Sequence, residues 1–346
     1  MINNNFDIVI ATYNRPNFLK SLVDQIKDCT LLPRRIIVVD SSDIKNIEIQ
    51  NTDRVIYIRS SHKNQPYQRY LGYKASEEEF IVFFDDDVKI LDKDLFKYLL
   101  GSFQEKNTVG STLRFTSEEV SSVDRSMGTE NIKLNNTFIT KHLWALTGAP
   151  KIKSNGIWLA GLKGDYNYSL GYTEAVGGPG TLAFRRDIVD RLFDDVLFAM
   201  YERKLGKGED KYISVGALKY GKIALVNKIC LYHPPHDSSY FDDVYSFARR
   251  EIYSRLWLSK RIASVKNISP VFMYLHYYWY AAWRIVMAAM HTLISPQKKN
   301  LDRFSGRVKG VLDTIVIPMT TEYLCPSIIW EEDLARDIKN IENSDV

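Results

Sequence analysis

Cysteine is scarce. The chain holds only Cys29, Cys230 and Cys325, odd in number and far apart. That excludes a disulfide framework and any cysteine-based metal spacing, and predicts reduced, packed thiols. Excess charge of one sign is also missing: the net charge is +4, too mild to argue for nucleic acid, whose binders usually show a concentrated basic face. The N-terminal residues Met1 to Phe6 are polar and run straight into a strand-like segment, so nothing there reads as a signal peptide. A cytoplasmic location follows as an expectation. Internal repeats and low-complexity tracts are lacking. What remains is an ordinary globular composition, 45% hydrophobic and 25% charged, in 346 residues. That is enough for one large domain, or one domain with a smaller second unit.

Strand-like and helix-like segments alternate from residue 6. Phe6 to Ala11 is a short apolar, β-branched run, interrupted by Thr12-Tyr13-Asn14-Arg15-Pro16. Pro16 suits a helix start, and Phe18, Leu19, Leu22, Val23 and Ile26 then share a helical face. Further strands are expected at Ile36–Val39, Val55–Ile58 and Phe80–Phe84, with helices at Tyr67–Ala75 and 92–105. A strand is expected at 109–115. Residues 116–176 have no readable period. Strands return at Gly180–Phe184 and Ile223–Val226, with helices from Asp187 and over Gly208–Tyr220. From Tyr240 the pattern is helical to the end. The expected fold class is α/β: a Rossmann-like, mostly parallel sheet with helices on both faces and a helical C-terminal extension. In such sheets ligands bind beyond the carboxyl ends of the strands. Thr12–Arg15, Asp40–Asp43 and Asp85–Asp87 all fall at those ends.

Three consecutive aspartates after a hydrophobic strand need a counter-charge, because neighbouring carboxylates resist ionising together. A divalent cation supplies one. Carboxylate oxygens suit Mg²⁺ or Mn²⁺, which share such sites with substrate phosphates. The bland alternative is a helix cap with solvated loop charges. Glu209-Asp210 opens a predicted helix, where acids also fit the helix dipole. Leu231-Tyr232-His233-Pro234-Pro235-His236 ends the following strand and offers two imidazoles.

Six segments, in order, resemble glycosyltransferase family 2 with the GT-A fold. They are IVIATYNRP (8–16), IIVVDSSD (36–43), NQPYQRYLGYKAS (64–76), FIVFFDDDVKI (80–90), GGPGTLAFRRDIV (177–189) and GEDKYISVGALKYGKI (208–223). The resemblance implies a glycosyltransferase domain over 1–236, with a nucleotide-binding half at 1–115 and an acceptor and catalytic half at 116–236. The helical region 237–346 follows it. It implies that Thr12 and Tyr13 line a nucleoside pocket with Asn14 and Arg15 beside them, Tyr13 stacking on the base. Asp40 accepts a hydrogen bond from the base, and Arg69 reaches the base or diphosphate. Asp85 binds ribose or metal, Asp86 lies alongside, and Asp87 is the principal metal ligand. His233 or His236 completes the shell of Mn²⁺ or Mg²⁺. Asp210 is the catalytic base and Glu209 positions the helix or the acceptor. Gly178, within Gly177-Gly178-Pro179-Gly180, floors the donor-sugar and acceptor site, with Arg185 or Arg186 near it.

The implied reaction is inverting, metal-dependent transfer of a sugar from a nucleotide-diphosphate donor to an oligosaccharide or lipid-linked saccharide hydroxyl, in surface polysaccharide synthesis. The Asp40/Arg69 pair favours a UDP-sugar. Two departures leave the base open: Ser41 and Ser42 precede Asp43, and Gln65 to Arg69 replaces a Gly- and Ala-Arg-Asn-bearing segment. The rivals are a degenerate sugar-binding scaffold and a nucleotidyltransferase. The latter normally carries a Gly-rich phosphate loop, and Ala11 to Pro16 has no glycine. A glycoside hydrolase would pair carboxylates without needing a nucleotide pocket.

Phe272 to Ser295 is apolar and rich in Tyr and Trp, with Arg284 as its clear charge and basic residues on both flanks. Its length suits a bilayer, but a mid-depth arginine is costly and aromatics prefer the interface. A buried or oligomer-facing helix and a helix lying on the inner membrane surface, with contact through 268–310, both fit this pattern better than a span.

Overall fold

A computed structural model describes residues 5–46, 49, 51–116, 171–174, 176, 181–233 and 243–342. The first half builds β1 (Phe6–Thr12), α1 (Pro16–Lys27), β2 (Ile36–Asp40), β3 (Val55–Arg59), α2 (Gln65–Lys74), β4 (Phe80–Asp85), β5 (Lys89–Ile90), α3 (Leu95–Gly101) and β6 (Thr108–Thr116). There follow β7 (Tyr172–Thr173), β8 (Thr181–Arg185), α4 (Arg186–Val189), α5 (Asp195–Glu202), α6 (Glu209–Ala217) and β9 (Lys222–Tyr232). The C-terminal helices are α7 (Val244–Lys266), α8 (Pro270–Ile294), α9 (Lys298–Val316), α10 (Thr321–Leu324) and α11 (Trp330–Glu342).

All these strands join one sheet, in the order β3-β2-β1-β4-β8-β6-β9-β5, with β7 on β9. The β3-β2-β1-β4 portion is wholly parallel, as the alternation predicts. β8 then enters antiparallel between β4 and β6, and β6 pairs parallel with β9. Strand alternation sends Val9 and Phe6 of β1 to opposite faces. Gly72 of α2 packs so closely on Val9 that an added Cβ would lie 2.4 Å from its Cγ1. Phe96 of α3 meets Phe6 with ring centroids 5.2 Å apart. Helices therefore cover both faces, and β1 is buried along its whole length. On α1 the predicted face holds except at Phe18, which is 54% exposed.

The C-terminal helices form a compact layer. Gly306 and Gly310 of α9 lie against the backbone carbonyls of Tyr245 and Arg249 on α7, where no larger residue fits. The chain then returns to the first half. Trp330 of α11 packs on His62, Tyr67 and Phe198. Asp337 accepts from the Tyr67 hydroxyl at 3.0 Å and from Ser61 Oγ at 2.8 Å. Among the described residues no helix is long and apolar enough to cross a membrane. Arg284, the residue that speaks against a span, faces the bundle and pairs with Glu251 at 2.5 Å.

Candidate active site

The parallel registers bring three strand ends together: Thr12 lies opposite Asp40, and Ala11 opposite Asp85. Beyond β4 the chain turns at Asp86–Asp87 and doubles back, so that Lys89 pairs with Tyr232 at the end of β9. This small antiparallel contact carries His233 to the aspartates. His233 Nε2 lies 3.2 Å from Asp87 Oδ1. One ligand atom each from Asp85, Asp87 and His233 falls within 4.8 Å of the others. Two carboxylates and an imidazole, with His233 and Asp87 nearly dry, form a hard oxygen and nitrogen donor set that fits Mn²⁺ or Mg²⁺. His236 and Gly178 lie outside the described residues.

Asp86 turns inward. It is 6% exposed, accepts from Thr12 Oγ1 at 2.6 Å and from Arg15 Nη1 at 2.9 Å, and burial pushes its carboxyl up to about 6 against both partners. The same Arg15 nitrogen lies 2.7 Å from Asp87 Oδ2. Adjacent aspartates on a turn thus part company, Asp87 toward His233 and Asp86 under Thr12.

A cleft of about 510 Å³ opens beside these residues, lined in part by Thr12, Asn14, Arg15, Asp40, Ser42 and Asp43. Its two loops are knitted together. Asn14, at φ 54°, donates through Nδ2 to Asp43 at 2.8 Å and through its backbone N–H to Ser42 Oγ at 2.7 Å. Asn tolerates this left-handed backbone better than most residues. Gln68 Nε2 donates to the carbonyls of Thr12 (2.9 Å) and Val39 (2.7 Å), tying α2 to both strand ends. Asp40 is fully buried at the cleft floor. Its Oδ1 accepts from the Ser42 N–H at 2.7 Å, and its Oδ2 from the Tyr57 hydroxyl and from Arg59 at 3.2 Å. Tyr13 stands at the rim, 43% exposed, with Lys63 Nζ 5.0 Å from its ring centroid.

Arg69 spends its guanidinium inside the protein, not on the open cleft. It is fully buried, and a buried arginine requires carboxylate partners. Nη2 lies 2.6 Å from Asp85 Oδ1, Nη1 2.7 Å from Asp210 Oδ1, and Nη1 3.7 Å from Glu209 Oε1. Gln65 Nε2 adds a 3.2 Å bond to Asp85. α6 begins at Glu209 after Gly208, whose φ of 87° favours glycine. The Tyr201 hydroxyl donates to Glu209 Oε2. Burial and the neighbouring Glu209 push the Asp210 carboxyl upward against the pull of Arg69.

Arg185 and Arg186 do not sit at this site. β8 runs antiparallel to β4, so Thr181 lies opposite Phe84 at the site end and Arg185 opposite Phe80 at the far end. Arg185 there bonds the carbonyls of Thr108 and Phe103, and Arg186 lies over Tyr73. Conversely, Tyr57, Arg59 and Tyr201 join the site's polar network without a motif to announce them, and Gln65, inside the 64–76 segment, joins it through Asp85.

Residues 7–193 match the signature of glycosyl transferase family 2. The chain belongs to that family. Over 108 residues this glycosyltransferase is 29% identical to the O-antigen chain rhamnosyltransferase RfbN of Salmonella typhimurium. The match takes in 28% of this chain and spans only 33% of the length of that protein. In three dimensions it resembles residues 1–349 of S. aureus TarS in complex with UDP-GlcNAc, with TM-score 0.53, 15% identity, and coverage of 98% of this chain and 90% of that one. It also resembles the Pyrobaculum calidifontis mannosyltransferase PcManGT in complex with GDP-Man and Mn²⁺, with TM-score 0.51, 10% identity, and coverage of 90% and 87%. At these identities the likeness establishes the shared GT-A fold.

Proposed function

We propose that the protein is an inverting, divalent-metal-dependent glycosyltransferase. It transfers a sugar from a nucleoside-diphosphate donor, with UDP favoured, to a hydroxyl of a saccharide or lipid-linked saccharide acceptor in surface polysaccharide synthesis. The observation that carries this reading is the side-by-side placement of the Asp85/Asp87/His233 donor set and the partly buried Asp210, joined through Arg69. TarS and PcManGT, solved with UDP-GlcNAc and with GDP-Man and Mn²⁺, support a nucleotide-sugar donor, and RfbN supports a polysaccharide role.

Asp87, Asp85 and His233 would hold Mn²⁺ or Mg²⁺, which when bound would offset the negative charge of the nucleoside-diphosphate leaving group. The cleft of Thr12, Tyr13, Asn14, Arg15 and Asp40 takes the nucleoside, with Tyr13 at the rim as a stacking surface for the base. Asp40 holds the cleft floor through Ser42, Tyr57 and Arg59. Asp86 acts by positioning Thr12 and Arg15. Asp210 takes the proton from the acceptor hydroxyl as that oxygen attacks the anomeric carbon, and its upward shift makes it a stronger base. Glu209 and Arg69 fix its place. Residues 1–236 form the glycosyltransferase domain, and α7 to α11 form a helical addition that latches back onto it. Donor hydrolysis in Mn²⁺, Mg²⁺ or EDTA tests this reading without requiring an acceptor. Metal-independent hydrolysis contradicts it.

Location at the inner membrane surface belongs to the same proposal. Val271, Leu275, Trp279, Val286, Met290 and Leu293 form an exposed stripe along α8, opposite buried Met273, Tyr277, Tyr280 and Ala288. Exposed Lys298 and Lys299 follow it directly. An apolar stripe beside basic residues suits a bilayer surface with anionic headgroups.

A further inference from the structure

Away from the metal-ligand set, positive charge gathers, among the described residues, around the carboxylate of Glu251. Phe247, Glu251 and Arg255 are spaced by four along α7 and share a face. Arg284 of α8 donates to Glu251 Oε1 at 2.5 Å, and Arg307 of α9 to Glu251 Oε2 at 3.3 Å. Arg307 also donates to the carbonyl of Arg284 at 3.1 Å. These bonds pin three helices together and give the two arginines a structural purpose.

Arg255 and Lys207 are surplus to that purpose. Arg255 lies 5.4 Å from the Tyr280 ring centroid, and its buried Nε and Nη1 have no hydrogen-bond partner. Lys207 Nζ sits 3.7 Å from the Phe247 ring centroid. Burial lowers the Lys207 ammonium to about 8 even though Glu251 opposes the shift, and Arg255, Lys211 and Arg284 add to the lowering. Burying cations beyond their carboxylate partners is costly, and a bound anion relieves the cost. Glu251 itself is held down at about 2, mainly by Arg284 and Arg307 overcoming its burial, so it stays ionised and its charge is already shared.

Lys207 also lies three residues before Asp210, on the loop that enters α6. Lys207 thus shares its loop with the entry to the helix that carries the proposed base.

We propose that Lys207 and Arg255, backed by Arg284 and Arg307, bind a phosphoryl group carried by the acceptor. The acceptor is then an anionic, phosphate-bearing saccharide rather than a neutral sugar. This rests on the glycosyl-transfer reading for the word acceptor, but not for the site. Phosphate oxygens match the unpaired donors of Arg255, and a guanidinium with a nearby ammonium is a recurrent phosphate-binding pair.

Pyrophosphate is the probe, titrated calorimetrically into the full chain in EDTA so that no metal recruits it to the donor cleft. The wild type binds it. Arg255→Gln weakens binding at least tenfold, and Lys207→Gln does so independently, guarding against a folding defect in either variant. Thermal melts of the same samples show pyrophosphate raising the wild-type midpoint and leaving both variants unmoved. Three results overturn the proposal. One is no pyrophosphate binding by the wild type. Another is loss in Arg15→Gln with Arg255→Gln intact, which would put the probe in the donor cleft. The third is loss in Arg255→Gln of binding to phosphatidylglycerol-containing vesicles alone, which would make the phosphoryl group a lipid headgroup's. Donor hydrolysis needs no acceptor, so its failure and the failure of this site are read separately.

Discussion

Arg69 Nη1 lies 2.7 Å from Asp210 Oδ1, and the same guanidinium reaches Asp85 with its other nitrogen at 2.6 Å. One fully buried cation thus holds a proposed base and a proposed metal ligand in fixed relation. Removing it leaves buried carboxylates facing one another, a loss of about 3–5 kcal/mol for a broken buried pair. Arg69→Met is expected to lower the denaturant midpoint and to abolish transfer. Arg69→Lys is expected to restore folding but not full turnover, because an ammonium cannot span both carboxylates. Denaturant melts beside kcat and KM check both. Wild-type turnover in Arg69→Lys would contradict the coupling.

Asp210→Asn keeps the shape of the side chain and removes the proton acceptor. The expected loss in kcat is about 10²–10⁴-fold, with metal-dependent UDP binding retained. Calorimetry of UDP with Mn²⁺, set against transfer rates, separates the two roles. Loss of nucleotide binding with little change in kcat would assign Asp210 to the donor instead.

The sequence displays the strand ends plainly because a parallel sheet puts its polar clusters where apolar runs stop. Asp40, Asp85 and Asp87 were readable for that reason. It does not display which way a side chain turns within a tight turn. Asp86 looks equivalent to its neighbours in sequence, yet it faces Thr12 and Arg15. His233 reaches Asp87 only because Lys89 pairs with Tyr232, a two-residue strand too short to leave a periodic signal. Arg185 and Arg186 lie at the far end of β8 because that strand runs antiparallel to β4, which nothing local in the sequence reveals. The docking of α11 on His62 and Tyr67 joins residues about 270 positions apart, which no local pattern encodes.

That docking has a pH signature. His62 Nε2 lies 2.9 Å from Asp333 Oδ2, and Nδ1 3.4 Å from Glu202 Oε2. Burial alone would lower the imidazole, but the two carboxylates outweigh it and raise it above its ordinary 6.5. A raised folded-state value means the protonated form favours folding. The stabilisation is full below about 6.5 and is lost as pH rises through the folded value. Thermal melts across that window are expected to fall for the wild type and to flatten for His62→Gln. Parallel curves would remove His62 as the cause.

The exposed stripe on α8 predicts vesicle binding. Leu275→Glu with Leu293→Glu places two charges on solvent-facing positions, leaving the fold intact. Flotation with phosphatidylglycerol vesicles is expected to carry the wild type upward and to leave the double variant behind. Equal flotation would refute membrane contact through this face.

Metal-dependent turnover of the donor is open to a single experiment. UDP-, GDP-, dTDP- and CMP-sugars are each incubated with the protein in Mn²⁺, in Mg²⁺ and in EDTA, beside Asp87→Ala and His233→Ala. Turnover of a nucleoside-diphosphate sugar is expected to need the metal, to be abolished in Asp87→Ala and to be reduced in His233→Ala. Turnover that survives EDTA and both substitutions would contradict this.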